Sequence, residues 1–120
     1  MYCFASIGYL PLALKVLDKP RLRSKGFMGW EQPPNDCFGM LFLHNTEHHQ
    51  SYWMHNVPFN LDCLGFDNHN QLVEVLTLEA LSTASRGFSV PVKHVVELRG
   101  GWCVSKGIKG GEKLVMRSYF

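Results

Sequence analysis

The stretch LDCLGFDNHNQLVEVLTLEAL, residues 61–81, has the pattern of a β-hairpin and decides the fold class. Leu61 to Phe66 predicts one strand, Asp67 to Asn70 a polar hairpin tip, and Gln71 to Leu81 a second, longer strand. In the second strand, successive side chains point to opposite faces. This places Val73, Val75 and Thr77 on one face and Leu72, Glu74, Leu76 and Leu78 on the other. The hairpin therefore indicates antiparallel β-structure at the centre of the chain.

Further short strands are predicted on both sides of the hairpin, separated by glycine, proline and other turn residues. These strands are Leu12 to Leu17, Met40 to His44, Ser51 to His55, Val92 to Leu98 and Leu114 to Tyr119. One helix is predicted from Asp18 and Pro20 to about Met28, and one helical turn from Trp102 to Lys106. The pattern predicts a mainly β fold: a small antiparallel sandwich or partly open barrel, jelly-roll-like, with one N-terminal helix and a short second helical turn.

Length and composition restrict the class of protein. The 120 residues predict a single domain, residues 1–120, and a hydrophobic fraction of 46% is typical of a globular chain. A net charge of +2 does not favour a nucleic-acid-binding protein, which needs a basic face. The apolar segment Met1 to Leu14 lacks a positive flank and is interrupted by Pro11, so we interpret it as a leading strand rather than a signal peptide. A cytoplasmic protein without membrane contact is expected.

The four cysteines, Cys3, Cys37, Cys63 and Cys103, form no C-x-x-C pair. Their wide spacing favours separate buried thiols over a zinc site or a redox pair, although two disulfides remain an alternative.

Two carboxylates fall on apolar strand faces and need a physical reason. Asp62 shares a face with Leu64 and Phe66, so it is predicted either to grip a ligand or, as we favour, to accept hydrogen bonds from backbone donors near Asn56 to Phe59. Glu97 shares a face with Val95 and Lys93, and a salt bridge with Arg23 or Lys93 is its simplest explanation.

Aromatic and histidine side chains offer weaker signals. Trp53 is predicted in the core, whereas Trp30, in a loop, is the better candidate for an exposed aromatic contact. The imidazoles invite a metal hypothesis, but their spacing matches no strong motif, so we predict neither metal nor cofactor. The histidines considered are His44, His48, His49 and His55.

Several short motifs, in order, carry a resemblance to a known family. They are Gly26-Phe27-Met28 following Arg23, Gly39-Met40-Leu41-Phe42, Trp53-Met54-His55-Asn56-Val57, Leu61-Asp62, and Val95-Val96-Glu97-Leu98 ending at Gly101. Over roughly Ala13 to Val115 the chain resembles the family called domain of unknown function 192. The resemblance implies a mainly β, jelly-roll-like sandwich and implies no activity. His55 and Val57 stand where the family usually has lysine and threonine.

Our leading functional hypothesis is a small-ligand or peptide binding or accessory module, because no nucleophile and base pair emerges. Its cleft is predicted to be lined by Arg23, Met28, Trp53, His55, Asn56, Asp62 and Glu97. One alternative is a glycoside-type hydrolase that uses Asp62 and Glu97 in one pocket. Another is a structural or assembly protein that self-associates through an edge strand such as Gln71 to Leu81. The expected partner is an unknown small molecule or protein, and the chain is expected to be a monomer or a weak homo-oligomer.

Overall fold

The computed structural model describes all 120 residues and contains nine strands and two short helices. The elements are β1 (Tyr2–Ile7), β2 (Leu10–Leu17), α1 (Pro20–Lys25), β3 (Phe38–Phe42), β4 (Ser51–Tyr52), β5 (Leu61–Phe66), β6 (Leu72–Leu78), β7 (Arg86–Gly87), β8 (His94–Arg99), α2 (Trp102–Lys106) and β9 (Leu114–Tyr119). No helix has the length and apolar composition needed to cross a bilayer.

Seven strands form one sheet in the order β6-β5-β8-β3-β2-β1-β9, and β4 pairs with β7 in a separate ribbon. The mainly β prediction is confirmed, but the antiparallel sandwich and jelly-roll arrangement are not. The sheet is mixed, because β2 and β3 run parallel. A parallel pair needs a crossover connection, and α1 with the loop behind it supplies one.

The sheet is open, although its two edge strands approach each other at one end. An isolated bridge joins Gln71 to Lys113, and the N–H of Leu72 donates to the carbonyl of Glu112 at 2.9 Å. The edge of β6 is partly covered by the segment that follows it, since the Arg86 guanidinium donates to the Thr77 carbonyl at 2.7 Å. This cover does not favour assembly through β6, and the oligomeric state stays a prediction.

The central strands are buried on both faces, because a separate hydrophobic cluster covers each side of the sheet. All six residues of β5 are buried. Leu64 and Phe66 belong to the cluster that contains Trp102 and the inward-facing residues of β1 and β2. Leu61 and Cys63 belong to the cluster around Phe27, which covers the other face. We call these the Trp102 face and the Phe27 face.

The N-terminal region differs from the prediction in two respects. Residues 1–14 do not form one leading strand, because the chain turns back at Gly8, where φ is 60°, and continues as β2. Helix α1 ends at Lys25 rather than Met28, because Gly26 leaves the helical conformation with φ 46°. This early end places the side chains after α1 against the Phe27 face of the sheet.

Candidate functional site

A cavity of about 500 Å³ opens on the Phe27 face between α1, the end of β3, and β4. Four of the seven residues predicted to line a cleft border it: Arg23, Met28, Trp53 and Glu97. The other three, His55, Asn56 and Asp62, do not line it. Sequence reasoning did not predict several of its walls, namely Lys25, Phe42, Gln50, Tyr52 and Met54, or His44 as part of it.

Glu97 is the acid of this cavity. In the sheet it lies opposite Met40 on β3 and Cys63 on β5, so its side chain shares the Phe27 face with theirs. Glu97 is only 5% exposed. Its carboxyl group makes no side-chain hydrogen bond, and the predicted salt bridge with Arg23 or Lys93 does not form, since the ion pairs in the structure involve only Asp36. Burial raises the pKa of Glu97 to about 8, because a carboxylate is poorly solvated there.

Two further polar atoms beside the cavity are buried without a partner: the Tyr52 hydroxyl and the Nδ1 atom of His44. Burial lowers the pKa of His44 to about 4, and the nearby positive charge of Arg23 acts in the same direction. Arg23 itself donates from Nη1 to the Leu43 carbonyl at 3.1 Å. Buried polar groups in proteins are nearly always paired, so the unpaired groups here are exceptions that need an explanation.

Asp62 lies on the opposite side of the sheet and has a structural role. Its carboxylate accepts hydrogen bonds from the Gly101 N–H at 3.1 Å and the Cys103 N–H at 2.9 Å. These donors belong to the first turn of α2, whose N-cap residue offers no side-chain acceptor. We predicted backbone donors for Asp62 correctly in kind, but placing them near Asn56 to Phe59 was wrong, because sequence cannot show which turn folds back onto β5.

The paired-carboxylate hydrolase is not supported by this geometry. Asp62 lies opposite Leu98, whereas Glu97 lies opposite Cys63, so the two carboxylates occupy consecutive, opposite-facing positions of the sheet. Side chains alternate between the two faces at successive residues. The carboxylates therefore do not share a pocket, and the requirement of the glycosidase arrangement is not met.

The predictions of a buried Trp53 and an exposed Trp30 were both wrong. Trp53 is 52% exposed and stacks on His55 at a ring separation of 5.0 Å. Trp30 instead packs against the Phe27 cluster and stacks on Phe38 at 5.7 Å. Met54, the neighbour of Trp53, is the buried residue of the pair, and both residues follow the end of β4 at Tyr52. Asn56 is exposed and adopts a positive φ of 58° that turns the chain after Trp53 and Met54.

All four cysteines are free thiols, and three of them are buried, whereas Cys37 is exposed. No group of three or more histidine, cysteine or carboxylate side chains has a geometry that could hold a metal ion. The N–H groups that follow Gly100 are occupied by Asp62 rather than left free for an external anion.

The sequence matches the model of the family DUF192, described as "Uncharacterized ACR", over residues 5–116. The chain belongs to this family. The match confirms the resemblance drawn from the short motifs. It assigns no activity, because the family is itself uncharacterised. No curated protein matches the chain.

Two solved structures are similar to this chain in fold. One is from Sinorhizobium meliloti 1021 and is described as a "putative transcription regulator"; it has a TM-score of 0.90 and 22% identity, and the match covers 97% of this chain and 94% of the other. The second, a protein of unknown function from Novosphingobium aromaticivorans DSM 12444, has a TM-score of 0.86 and 20% identity, with 94% and 84% covered. At these identities the likeness shows the fold alone.

Proposed function

We propose that this DUF192 protein is a binding module that takes a small molecule in the cavity above Glu97. The observation that supports the proposal is Glu97, a residue only 5% exposed, whose carboxyl group lies at the wall of a cavity and has no hydrogen-bond partner within the protein. Leaving a buried carboxyl group unpaired costs free energy of folding, about 1–3 kcal/mol or more. A ligand that forms hydrogen bonds with this carboxyl group would recover that free energy in the complex, so the cost in the free protein favours binding.

The cavity has the mixed lining that small-molecule sites have. Aromatic and aliphatic walls are supplied by Phe27, Phe42 and Met54, and a few polar groups converge between them. Its volume of about 500 Å³ lies within the range of known ligand pockets. No serine, cysteine or threonine side chain at the cavity forms a hydrogen bond with a histidine, carboxylate or lysine side chain. Binding without covalent catalysis is the function that this arrangement supports best.

A role in DNA binding has less support. The description of the S. meliloti protein refers to that protein, and its likeness to this chain extends to the fold alone. A net charge of +2 supplies little of the electrostatic attraction on which nucleic-acid affinity depends.

A thermal-shift screen of metabolites, sugars and short peptides tests the proposal. A ligand at about 100 times its Kd stabilises the folded state by about 2.7 kcal/mol, which raises Tm by several degrees. The screen should be repeated with Ser24→Trp, which places a large ring at the rim of the cavity, and with Ser118→Trp, on exposed β9 away from it.

We expect at least one compound to stabilise the natural protein and Ser118→Trp, but not Ser24→Trp. A screen without any stabilising compound, or a compound that binds Ser24→Trp equally well, would contradict the proposal.

A further inference from the structure

The charges of the cavity are separated, and this separation suggests a class of ligand. Glu97 is an acid on β8, whereas Arg23 and Lys25 are cations on α1, and all three line the same cavity. A buried carboxylate ordinarily pairs with the nearest cation. Here no cation lies within ion-pairing distance of Glu97, and the Nη1 atom of Arg23 is directed to the Leu43 carbonyl instead.

We propose that the natural ligand is a small zwitterion of the amino-acid or dipeptide class, whose amine meets Glu97 and whose anionic group meets Arg23. This inference rests on the proposed binding function. The apolar side chains of Phe42 and Met54, which line the same cavity, suit the hydrocarbon part of such a molecule. The unpaired Tyr52 hydroxyl supplies a further donor or acceptor for the peptide or carboxyl oxygen.

The other titratable groups around Glu97 leave it as the one that changes charge near neutral pH. The charged or titratable side chains around it are Arg23 and Lys25 from α1, His44 after β3, Tyr52 from β4 and Cys63 from β5. Burial raises the pKa of Tyr52 and of Cys63, so both stay neutral. The pKa of His44 falls to about 4, so its ring is neutral as well.

An amine that binds as a cation beside the Glu97 carboxylate therefore releases a proton at pH values below about 8. The proton leaves the carboxyl oxygen of Glu97 for solvent as the ammonium group takes its place. Affinity for an ammonium ligand should rise as pH increases from 6 to 7.5, by up to tenfold per pH unit for one proton released. A ligand that instead accepts a hydrogen bond from neutral Glu97 keeps a nearly constant affinity from pH 6 to 7.5 and loses affinity only as pH rises through 8.

Calorimetric titration with three matched dipeptides tests the proposal. Leucyl-leucine carries both charges, N-acetyl-leucyl-leucine lacks the amine, and leucyl-leucine amide lacks the carboxylate. We expect leucyl-leucine to bind at least tenfold more tightly than the acetylated dipeptide and severalfold more tightly than the amide. Equal or tighter binding of the acetylated dipeptide, or no measurable binding of leucyl-leucine, would overturn the zwitterion class.

Matched variants assign each charge. Glu97→Gln should remove the preference for a free amine and the pH dependence between 6 and 7.5, whereas Glu31→Gln, in an exposed loop, should keep both. Arg23→Gln should remove the preference for a free carboxylate, whereas Arg23→Lys and the exposed Arg21→Gln on the same helix should retain it. Unchanged preferences in Glu97→Gln or Arg23→Gln contradict the assignment.

The outcome for the ligand class can be separated from the outcome for the binding function. If no dipeptide binds but another compound stabilises the protein and loses this effect in Ser24→Trp, the zwitterion class is wrong and the binding module stands. If no compound stabilises the protein at all, both are wrong.

Discussion

Two buried carboxylates lie on neighbouring strands, and their surroundings differ completely. Asp62 is 4% exposed and Glu97 is 5% exposed. On the Trp102 face, Asp62 accepts two backbone hydrogen bonds from the start of α2. On the Phe27 face, Glu97 has no partner and borders a cavity. Equal burial therefore accompanies opposite roles, and the number of hydrogen bonds, rather than burial, separates the structural acid from the candidate binding acid.

The largest effect is expected when the partnered carboxylate is removed. Asp62→Ala leaves the N–H groups of Gly101 and Cys103 without an acceptor, so the free energy of unfolding should fall by about 3 kcal/mol. Chemical denaturation measures this change. Asp62→Asn keeps one acceptor oxygen and should lose less. If Asp62→Ala lowers the free energy of unfolding as little as Glu97→Gln does at pH 6, the two carboxylates do not differ in structural role.

A pH-dependent effect is expected for the unpartnered carboxyl group. The folded-state pKa of Glu97, about 8, lies above its ordinary value of 4.5, so its protonated form stabilises the fold. This stabilisation is complete below about pH 4.5 and is lost as pH rises through 8. His44 and His94, whose pKa values burial lowers to about 4, act oppositely, and their contribution is lost as pH falls below about 6.5.

Between pH 6.5 and 8 the contribution of Glu97 is therefore separable. The free energy of unfolding should fall with a slope of up to about 1.4 kcal/mol per pH unit. Urea unfolding at several pH values should show this slope in the natural protein and in Glu31→Gln, and a flat dependence in Glu97→Gln. If the slope persists in Glu97→Gln, the pH dependence of stability arises from another group.

The smallest effect is expected for a third carboxylate, which is paired but only partly buried. Asp36 forms ion pairs with Arg99 and with Lys106, the latter at 3.3 Å. The Arg99 guanidinium holds the pKa of Asp36 below its ordinary value. Because solvent and salt screen such pairs, Asp36→Asn should lower the urea midpoint only slightly, and less so in 1 M salt. The variant keeps the Asp36 carbonyl that accepts from the Trp102 indole. A loss of stability as large as that of Asp62→Ala would show that pairing stabilises the fold as strongly in a partly exposed site as in a buried one.

The fold was largely predictable where local patterns are strong. The boundaries of β5, α2 and β9 were predicted correctly, because alternation and flanking glycines act over a few residues. The parallel β2–β3 pair was not predicted, since strand pairing depends on residues far apart in the chain. The two-residue strands β4 and β7 give no alternation to detect. Of the strand predicted for Ser51 to His55, only the first two residues form the ribbon.

The candidate site was predictable only in part. The sequence marked Glu97 and Asp62 as carboxylates on apolar strand faces, and both are buried. It could not show that one meets the start of α2 and the other a cavity, because a one-residue difference in register directs a side chain to the opposite face. Trp53 was placed in the core and Trp30 outside it. Both lie outside the strands of the structure, so their burial depends on which distant segments pack against them.

By itself, the sequence determined the family, the mainly β character and the presence of two acids that need a reason. These features follow from residue order and short-range periodicity. Only the tertiary structure decided which acid is partnered, because a hydrogen bond between Asp62 and Gly101 joins segments 39 residues apart. The cavity beside Glu97 likewise exists only where α1, β3 and β4 come together, and the packing of distant segments, not local preference, leaves that space empty.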